Sequence, residues 1–209
     1  MIPDRPFTVF IVDDDAAVRK AMSRLLKAEQ FDTRCFGSAR DFLAGYDTSI
    51  SGCALIDLTM DDIDGLQLQE QLARTSSDVP IIFLTGTGDI SSSVRAMKAG
   101  AVDFLTKPVC RDALLSALAK AQDVGEQKRR ERTEIDSISA RLATLTSRER
   151  EVFEHVAAGR LNKQIAGALG VVEKTVKVHR ARMMRKLGLN TIADLVRLSE
   201  RSGRREPKK

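Results

Sequence analysis

Residues 1–122 alternate between short apolar runs and amphipathic segments, and this alternation restricts the fold more than any other feature of the sequence. The runs are rich in β-branched and other apolar residues, which is typical of strands buried on both faces. They lie at Thr8–Val12, Thr33–Phe36, Cys53–Ile56, Pro80–Leu84 and Val102–Leu105. Between the runs, apolar residues recur at helical spacing. The pattern predicts a doubly wound, five-stranded parallel sheet, because right-handed crossovers place helices on both faces.

Polar side chains follow four of the five predicted strands. They are Asp13, Asp14 and Asp15 after the first strand, Asp57 after the third, Thr85 after the fourth and Lys107 after the fifth. Ligands of such sheets bind beyond the carboxyl ends of the strands. The fold is therefore expected to gather these groups, although they are far apart in the sequence.

This set of groups suits phosphoryl transfer. Carboxylates that crowd together repel one another and need a cation, and Mg²⁺ prefers oxygen ligands. A carboxylate can itself attack phosphorus, while an ammonium group and a hydroxyl stabilise the transferred group. Each residue alone is more typical of a turn or a helix cap. Together they predict a site with two metal carboxylates, one nucleophile, one cation and one hydroxyl.

Residues 1–122 resemble the receiver domain of bacterial two-component response regulators, which has a flavodoxin-like fold. The resemblance rests on the acidic run, on Asp57 with Met60 and Asp64-Gly65 behind it, on Thr85 and on Lys107-Pro108. It implies that Asp57 accepts a phosphoryl group from a sensor histidine kinase.

The resemblance also implies how the cation is held. Asp14 and Asp57 are expected to bind Mg²⁺ directly, together with the backbone carbonyl of Thr59. Asp13 is expected to act mainly through water.

Three further residues are assigned by the same resemblance. Lys107 is expected to pair with the phosphoryl oxygens and to precede a cis peptide bond to Pro108. Thr85 and Phe104 are expected to form a switch pair, in which the hydroxyl moves toward the phosphate and the ring turns inward.

The chain departs from this family after Met60, where Asp61 replaces the usual proline. Asp61 and Asp62 add negative charge beside the site, which predicts either tighter metal binding or slower phosphorylation. The departure leaves an alternative open: a regulator that binds DNA independently of phosphate and uses its receiver only for dimerisation. An enzyme acting on small phosphate esters is a weaker alternative. It needs an acid–base residue two positions after the nucleophile, where this chain has Thr59.

Charge is divided unevenly along the chain. Residues 1–122 carry 13 Lys and Arg against 17 Asp and Glu, whereas residues 123–209 carry 21 against 12, which gives net charges of −4 and +9. A basic second part favours a polyanionic partner. The second part of the chain is predicted to begin with a charged, helical linker at 123–144 and to end with a basic tail at 204–209.

Apolar residues in and after the linker recur at 3-4-3 spacing. This spacing indicates either a helix that packs on its own domain or a short coiled-coil seam. The first is favoured, because the pattern has only a few positions: Ile135, Ile138, Leu142 and Leu145.

Residues 145–203 are predicted to form a small all-α domain of four helices. Thr146 and Glu149 have the spacing of a capping box at the start of the first helix. Two helices joined by a tight turn with a glycine, the second of them rich in Lys and Arg, are typical of a helix-turn-helix. The basic helix is predicted from Glu173 to Leu187. Its core-facing residues are predicted to be Val176, Met183 and Leu187.

This part resembles the LuxR-type helix-turn-helix. The resemblance rests on Leu-Thr-Ser-Arg-Glu-Arg-Glu-Val at 145–152, Asn-Lys-Gln-Ile-Ala at 162–166 and Thr-Val-Lys-Val-His at 175–179. It implies DNA contacts by six residues of the basic helix. Lys177, Val178 and Ala181 are expected to face base edges, and Lys174, Arg180 and Arg182 are expected to contact phosphates. Val172 stands where the family often has Ser or Thr, which removes a helix cap.

The two resemblances imply a response regulator of the FixJ/NarL type. Phosphorylation on Asp57 is expected to cause homodimerisation and binding to double-stranded promoter DNA, with activation of transcription the commoner outcome in the family. The implied partners are a sensor histidine kinase, promoter DNA and RNA polymerase. No enzymatic activity is expected beyond the chain's own phosphorylation and dephosphorylation.

Composition excludes several other classes. No apolar run approaches the ~20 residues of a membrane span, and the N-terminus has no signal-peptide core. The three cysteines are widely spaced and predict reduced thiols, at least two of them in the core, in a cytoplasmic protein. Aromatic residues make up only 4%, which argues against the apolar pocket of a small-molecule-sensing regulator.

Overall fold

The structure, a computed structural model, describes residues 7–61, 63–75, 77–86 and 90–203. Asp62 and the predicted basic tail (204–209) lie outside the described residues. The first part of the chain contains β1 (Thr8–Val12), α1 (Ala16–Ala28), β2 (Asp32–Phe36), α2 (Ala39–Gly45), β3 (Gly52–Asp57), α3 (Gly65–Arg74), β4 (Ile81–Thr85), α4 (Ile90–Lys98) and β5 (Asp103–Thr106). It is followed by α5 (Arg111–Ala143), α6 (Ser147–Ala157), α7 (Asn162–Leu169), α8 (Glu173–Leu187) and α9 (Ile192–Gly203).

The strands form one parallel sheet with the order β2-β1-β3-β4-β5. Strands β1 and β4 are buried along their whole length, as expected for strands covered by helices on both faces. The order reverses beside β1, and its carboxyl end lies next to that of β3. The predicted doubly wound sheet is confirmed, and its switch point falls where the acidic residues follow β1.

Two apolar cores cover the faces of the sheet. Phe10 and Phe83 lie in one core, whereas Ile11 and Ile82 lie in the other. Neighbouring residues of one strand point to opposite faces, because side chains alternate along an extended backbone. The polar groups beyond the strands are therefore attached to strands that are packed on both faces.

Helix α5 is a single helix from Arg111 to Ala143, and it includes the segment predicted as a linker. The chain divides into two compact units between Arg129 and Arg130, within that segment. The predicted domain limits at 122 and 144 stay predictions.

The second unit has its own apolar core, built from α6 to α9 and the last turns of α5. Three of the four residues at 3-4-3 spacing, Ile138, Leu142 and Leu145, are buried in this core. Ile138 and Leu142 of α5, followed by Leu145 after the end of the helix, therefore pack on their own unit, which is the packing that the spacing favours. Helices α7 and α8 end at Gly170 and Gly188, whose positive φ angles of 64° and 65° suit glycine.

The prediction that at least two cysteines are buried is wrong. Cys53 lies on β3, the central strand of the sheet, and is buried, but Cys35 and Cys110 are exposed. Cys35 lies on β2, an edge strand of the sheet, and Cys110 directly precedes α5. Burial of Cys53 raises the pKa of its thiol. No helix among the described residues is long and apolar enough to cross a membrane.

Candidate metal and phosphate site and nucleic-acid interface

Three carboxylates meet at the carboxyl edge of the sheet. Asp13 follows β1 directly, Asp14 comes next, and Asp57 is the last residue of β3. One carboxylate oxygen from each lies within 4.8 Å of the others. Asp13 and Asp57 are buried, with 0% and 7% of their surface exposed, whereas Asp14 is exposed. Two carboxylates are thus held by the fold, and the third faces solvent.

Lys107 joins the two buried carboxylates. Its Nζ donates to Oδ2 of Asp13 at 2.7 Å and to Oδ2 of Asp57 at 2.9 Å. Burial lowers the pKa of Lys107, but the hydrogen bonds and charges of Asp13 and Asp57 outweigh this and raise the pKa above its usual value. The ammonium group therefore stays protonated and partly neutralises the cluster. The peptide bond to Pro108 is cis, as the resemblance implies.

The donor set fits a hard divalent cation. Such cations prefer carboxylate oxygens, and three unit charges are only partly offset by one ammonium group. The structure brings together Asp13, Asp14 and Asp57, the carboxylates assigned to Mg²⁺. The part of the Thr59 carbonyl in cation binding stays a prediction.

The backbone around Asp57 is closely packed. The N–H of Thr59 donates to Oδ1 of Asp57 at 3.4 Å, and Asp64 caps α3 in a capping box with Gln67. A β-carbon on Gly65 would lie 2.7 Å from the carbonyl oxygen of Asp57, so a side chain there would displace the main chain of Asp57. Glycine at the start of α3 thus lets the helix approach the end of β3.

The predicted switch residues lie on the two neighbouring strands. Thr85 ends β4 and is 1% exposed, and its carbonyl accepts from the N–H of Lys107 at 2.7 Å. Phe104 on β5 is half-buried and packs against the core that contains Phe83. Thr85 lies at the carboxyl edge of the sheet, where β4 ends, and Phe104 lies within β5. Their movement stays a prediction.

The site includes a contact by Arg19 that the sequence does not indicate. This residue of α1 donates from Nη1 to the main-chain carbonyl of Asp13 at 2.6 Å. The contact depends on how α1 packs against β1. The sequence therefore shows only that a basic residue follows shortly after the acidic run.

Helix α8 carries the predicted DNA contacts, and its limits are those predicted. Val176, Met183 and Leu187 are fully buried, which confirms the predicted core face. Four of the predicted contacts have helical i, i+3, i+4 and i+7 spacing and therefore share one face. They are Lys174, Lys177, Val178 and Ala181, and all four are exposed.

The two predicted arginine contacts have different surroundings. Arg182 is exposed, whereas Arg180 is half-buried and donates from Nη1 to Oδ1 of Asn162 on α7 at 2.9 Å. Asn162 therefore orients the Arg180 guanidinium. Val172 precedes α8 without a side-chain cap, as its sequence predicts, and Glu173 lies 3.5 Å from Nζ of Lys177.

A second network holds α8 against α6. The predicted capping box between Thr146 and Glu149 is present. Lys186 of α8 donates to Oε2 of Glu149 at 2.6 Å and to the carbonyl of Thr144 at 3.0 Å. The hydrogen bond from Lys186, and next the N–H of Thr146, lower the pKa of Glu149 to about 2.

We expect Glu149→Gln to destabilise α6 and α8 at neutral pH but not near pH 2. The lowered pKa means that the folded state binds the proton of Glu149 more weakly than the unfolded state. Its stabilisation is therefore complete above about pH 4.5 and is lost as the pH falls towards about 2. The expected loss at pH 7 is about 1 kcal/mol, since Lys186 is partly exposed to solvent.

Hydrogen exchange of α6 and α8 amides in the full chain measures this effect. Glu151→Gln is the matched control, because Glu151 lies on the same helix in an exposed pair with Arg148. A pH-independent difference between Glu149→Gln and wild type would contradict the role of the charge.

Each of the two parts of the chain matches a known protein family, and both families are those that the sequence resembles. Residues 9–119 match the family described as "Response regulator receiver domain", and residues 143–199 match "Bacterial regulatory proteins, luxR family". The chain is 41% identical over 198 residues to the response regulator protein TodT of Pseudomonas putida, which covers 95% of this chain and 87% of TodT.

Two further similarities cover nearly the whole chain. The transcriptional regulatory protein FixJ of Bradyrhizobium diazoefficiens is 37% identical over 195 residues, covering 93% of this chain and 95% of FixJ. The solved structure of the response regulator StyR has a TM-score of 0.78 at 42% identity, covering 94% of this chain and 99% of StyR. The family of response regulators that includes these relatives consists of transcription regulators and not of enzymes. The chain therefore belongs to the two-component response regulators that join a receiver domain to a LuxR-type DNA-binding domain.

Proposed function

We propose that this chain is a phosphorylation-dependent transcription regulator. Asp57 accepts a phosphoryl group from a phosphohistidine of a sensor kinase. The phosphorylated chain forms a homodimer, binds promoter DNA through α8 and activates transcription with RNA polymerase. The observation that carries the proposal is the bridge by Lys107 between the carboxylates of Asp13 and Asp57.

The chemistry at Asp57 is a phosphoryl transfer. A carboxylate oxygen of Asp57 attacks phosphorus, the P–O bond forms, and the P–N bond of the phosphohistidine breaks. The released imidazole takes up a proton. Lys107 is already within hydrogen-bond distance of the nucleophile and supplies positive charge where charge develops. Asp14, Asp57 and the Thr59 carbonyl would hold Mg²⁺ directly and Asp13 mainly through water, and the bound cation would offset the negative charge of the phosphoryl group.

Helix α8 supplies the DNA-binding surface. The exposed face with Lys174, Lys177, Val178 and Ala181 suits insertion into a major groove. Lys177 and Val178 face base edges, while Lys174, Arg180 and Arg182 contact phosphates. The basic charge of the second part of the chain favours association with a polyanion.

The two activities are coupled by a population shift. Phosphate on Asp57 favours the state in which Thr85 and Phe104 close toward the site, and this state presents the dimerising face of α4 and β5. A homodimer places two recognition helices about one DNA turn apart. Both helices then bind one operator, which raises affinity.

We expect phosphorylation to raise DNA affinity about tenfold, within the range of common coupling energies. The probe is a DNA duplex selected by the phosphorylated chain from a random pool. Binding is measured by fluorescence anisotropy before and after treatment with acetyl phosphate and Mg²⁺, and sedimentation reports the oligomeric state.

Two outcomes would contradict this coupling. Equal affinities, with phosphorylation verified by mass, would instead favour the passive receiver that only dimerises. Tighter binding by a phosphorylated chain that sediments as a monomer would contradict the homodimer.

A further inference from the structure

Arg19 contacts the acidic loop from α1, a helix that carries none of the residues assigned to the site. It lies on α1, and its Nη1 donates to the main-chain carbonyl of Asp13 at 2.6 Å. A hydrogen bond from a charged donor at this distance is among the stronger kinds. Arg19 is half-buried, so the contact is partly shielded from solvent.

Each polar group of Asp13 has a partner. Its N–H donates to the carbonyl of Phe36 at 3.3 Å, its Oδ1 accepts from the N–H of Asp15 at 2.9 Å, and its Oδ2 accepts from Lys107. Arg19 binds the remaining group, the carbonyl. Hydrogen bonds to the main chain and to the carboxylate therefore fix the position of Asp13.

The carbonyl of Asp13 and the N–H of Asp14 belong to one planar peptide group. A donor that fixes this carbonyl also fixes the direction in which the chain continues to Asp14. The Asp14 carboxylate is exposed, and its side chain makes no hydrogen bond or ion pair that is seen among the described residues. The orientation of the peptide before it is therefore what directs its carboxylate toward the other two.

The Arg19 guanidinium also packs against the chain after β2. A β-carbon on Gly37 would lie 3.7 Å from Cζ of Arg19, so the guanidinium lies directly beside the main chain of Gly37. The guanidinium thus connects the loop after β1 with the loop after β2.

We infer that Arg19 is a positioning residue of the cation site, which holds the Asp13–Asp14 peptide so that the Asp14 carboxylate faces the cation. The inference rests on the proposed function, because it concerns the same Mg²⁺ site. Groups that orient metal ligands commonly change metal affinity by about 10–100-fold when they are replaced.

The charge of Arg19 and its hydrogen bond have opposite effects on the affinity of the site for Mg²⁺. A guanidinium near the site repels a divalent cation, so loss of the charge alone tightens Mg²⁺ binding. Loss of the positioning contact weakens it. The direction of the change therefore separates the two roles.

The experiment measures Mg²⁺ binding to the full chain by titration calorimetry. We expect Arg19→Gln to weaken Mg²⁺ binding about tenfold relative to Arg24→Gln. Arg24 is the matched control, because it is an exposed arginine on the same helix. Arg19→Lys keeps the charge and can donate to a carbonyl, but it lacks the planar fork of arginine. We expect its affinity to lie between those of Arg19→Gln and Arg24→Gln, at least threefold below the latter.

A second measurement follows phosphorylation by acetyl phosphate at increasing Mg²⁺ concentration. Because Arg19 acts through the metal site, the Mg²⁺ concentration for half the maximal rate should rise about tenfold in Arg19→Gln. The maximal rate should stay within about twofold of wild type, since Asp57 and Lys107 are unchanged.

Several results would overturn the inference. They are equal Mg²⁺ affinities in Arg19→Gln and Arg24→Gln, tighter binding in Arg19→Gln, or a fall in the maximal rate with an unchanged Mg²⁺ midpoint. If circular dichroism shows that Arg19→Gln does not fold, an Arg19→Lys affinity equal to that of Arg24→Gln would overturn it as well. Absence of Mg²⁺ binding to the wild-type chain would instead contradict the proposed cation site itself.

Discussion

Asp57→Asn is expected to abolish phosphorylation of the full chain by acetyl phosphate and Mg²⁺. The amide of asparagine has nearly the same shape as the carboxylate, but it carries no charge and is a poor nucleophile, so no acyl phosphate forms. Asp57 is buried at the end of β3, and Asn keeps the packing there. Intact-protein mass measures the result as one added phosphoryl group in wild type and none in the variant.

The matched control is Asp61→Asn. Asp61 is an exposed carboxylate in the loop after Asp57, and its replacement removes the same charge. This variant is expected to gain one phosphoryl group. Phosphorylation of Asp57→Asn, or equal loss in both variants, would contradict Asp57 as the acceptor.

The time course of Asp61→Asn also decides between the two effects expected of Asp61. Faster phosphorylation at saturating Mg²⁺ would assign a slowing effect to this residue. A higher Mg²⁺ requirement at an unchanged maximal rate would instead assign it to metal binding.

Lys177→Ala and Lys174→Ala are expected to weaken DNA binding in different ways. Lys177 is assigned to a base edge, and losing such a contact costs about 1–3 kcal/mol on the selected duplex and little on unrelated DNA. Its pair with Glu173 is exposed, so breaking that pair has little effect on stability. Lys174 is assigned to a phosphate, so its loss weakens binding to both kinds of DNA.

The salt dependence of DNA binding distinguishes the role of Lys174 from that of Lys177. Loss of one phosphate contact lowers the slope of log affinity against log salt by about 0.9. We expect this change in Lys174→Ala, measured by anisotropy over a series of salt concentrations. Arg197→Ala is the control, because Arg197 is an exposed basic residue on α9 and not on α8. Loss of selectivity in Lys174→Ala but not in Lys177→Ala would contradict the assignment.

The predicted and observed structures agree where a feature depends on neighbouring residues and differ where it depends on residues far apart in the sequence. The limits of α8 were predictable, because the glycine that follows it and the period of 3.6 residues within it are local signals. The exposure of Cys35 was not predicted, because the sequence of a strand does not show whether the strand lies at the edge or in the centre of the sheet. The continuity of α5 was not predicted, because the composition changes at Gln122 and a glycine, Gly125, follows within the helix.

The site shows the same division. The residue types at the strand ends predicted a phosphoryl-transfer site, because parallel strands bring their carboxyl ends to one edge. Periodicity carries no information about which donor reaches which acceptor. The contacts of Arg19 with Asp13, of Arg180 with Asn162 and of Lys186 with Glu149 join different elements.

The sequence by itself therefore determined the order of the elements, the parallel sheet, the acidic edge with its lysine and the basic helix. These follow from hydrophobic period, turn residues and charge, which act over a few neighbouring residues. Only the tertiary structure decided which carboxylates are buried, that Lys107 bridges two of them and that Arg19 reaches the loop after β1. Those features depend on side chains that meet only after helices and strands have packed.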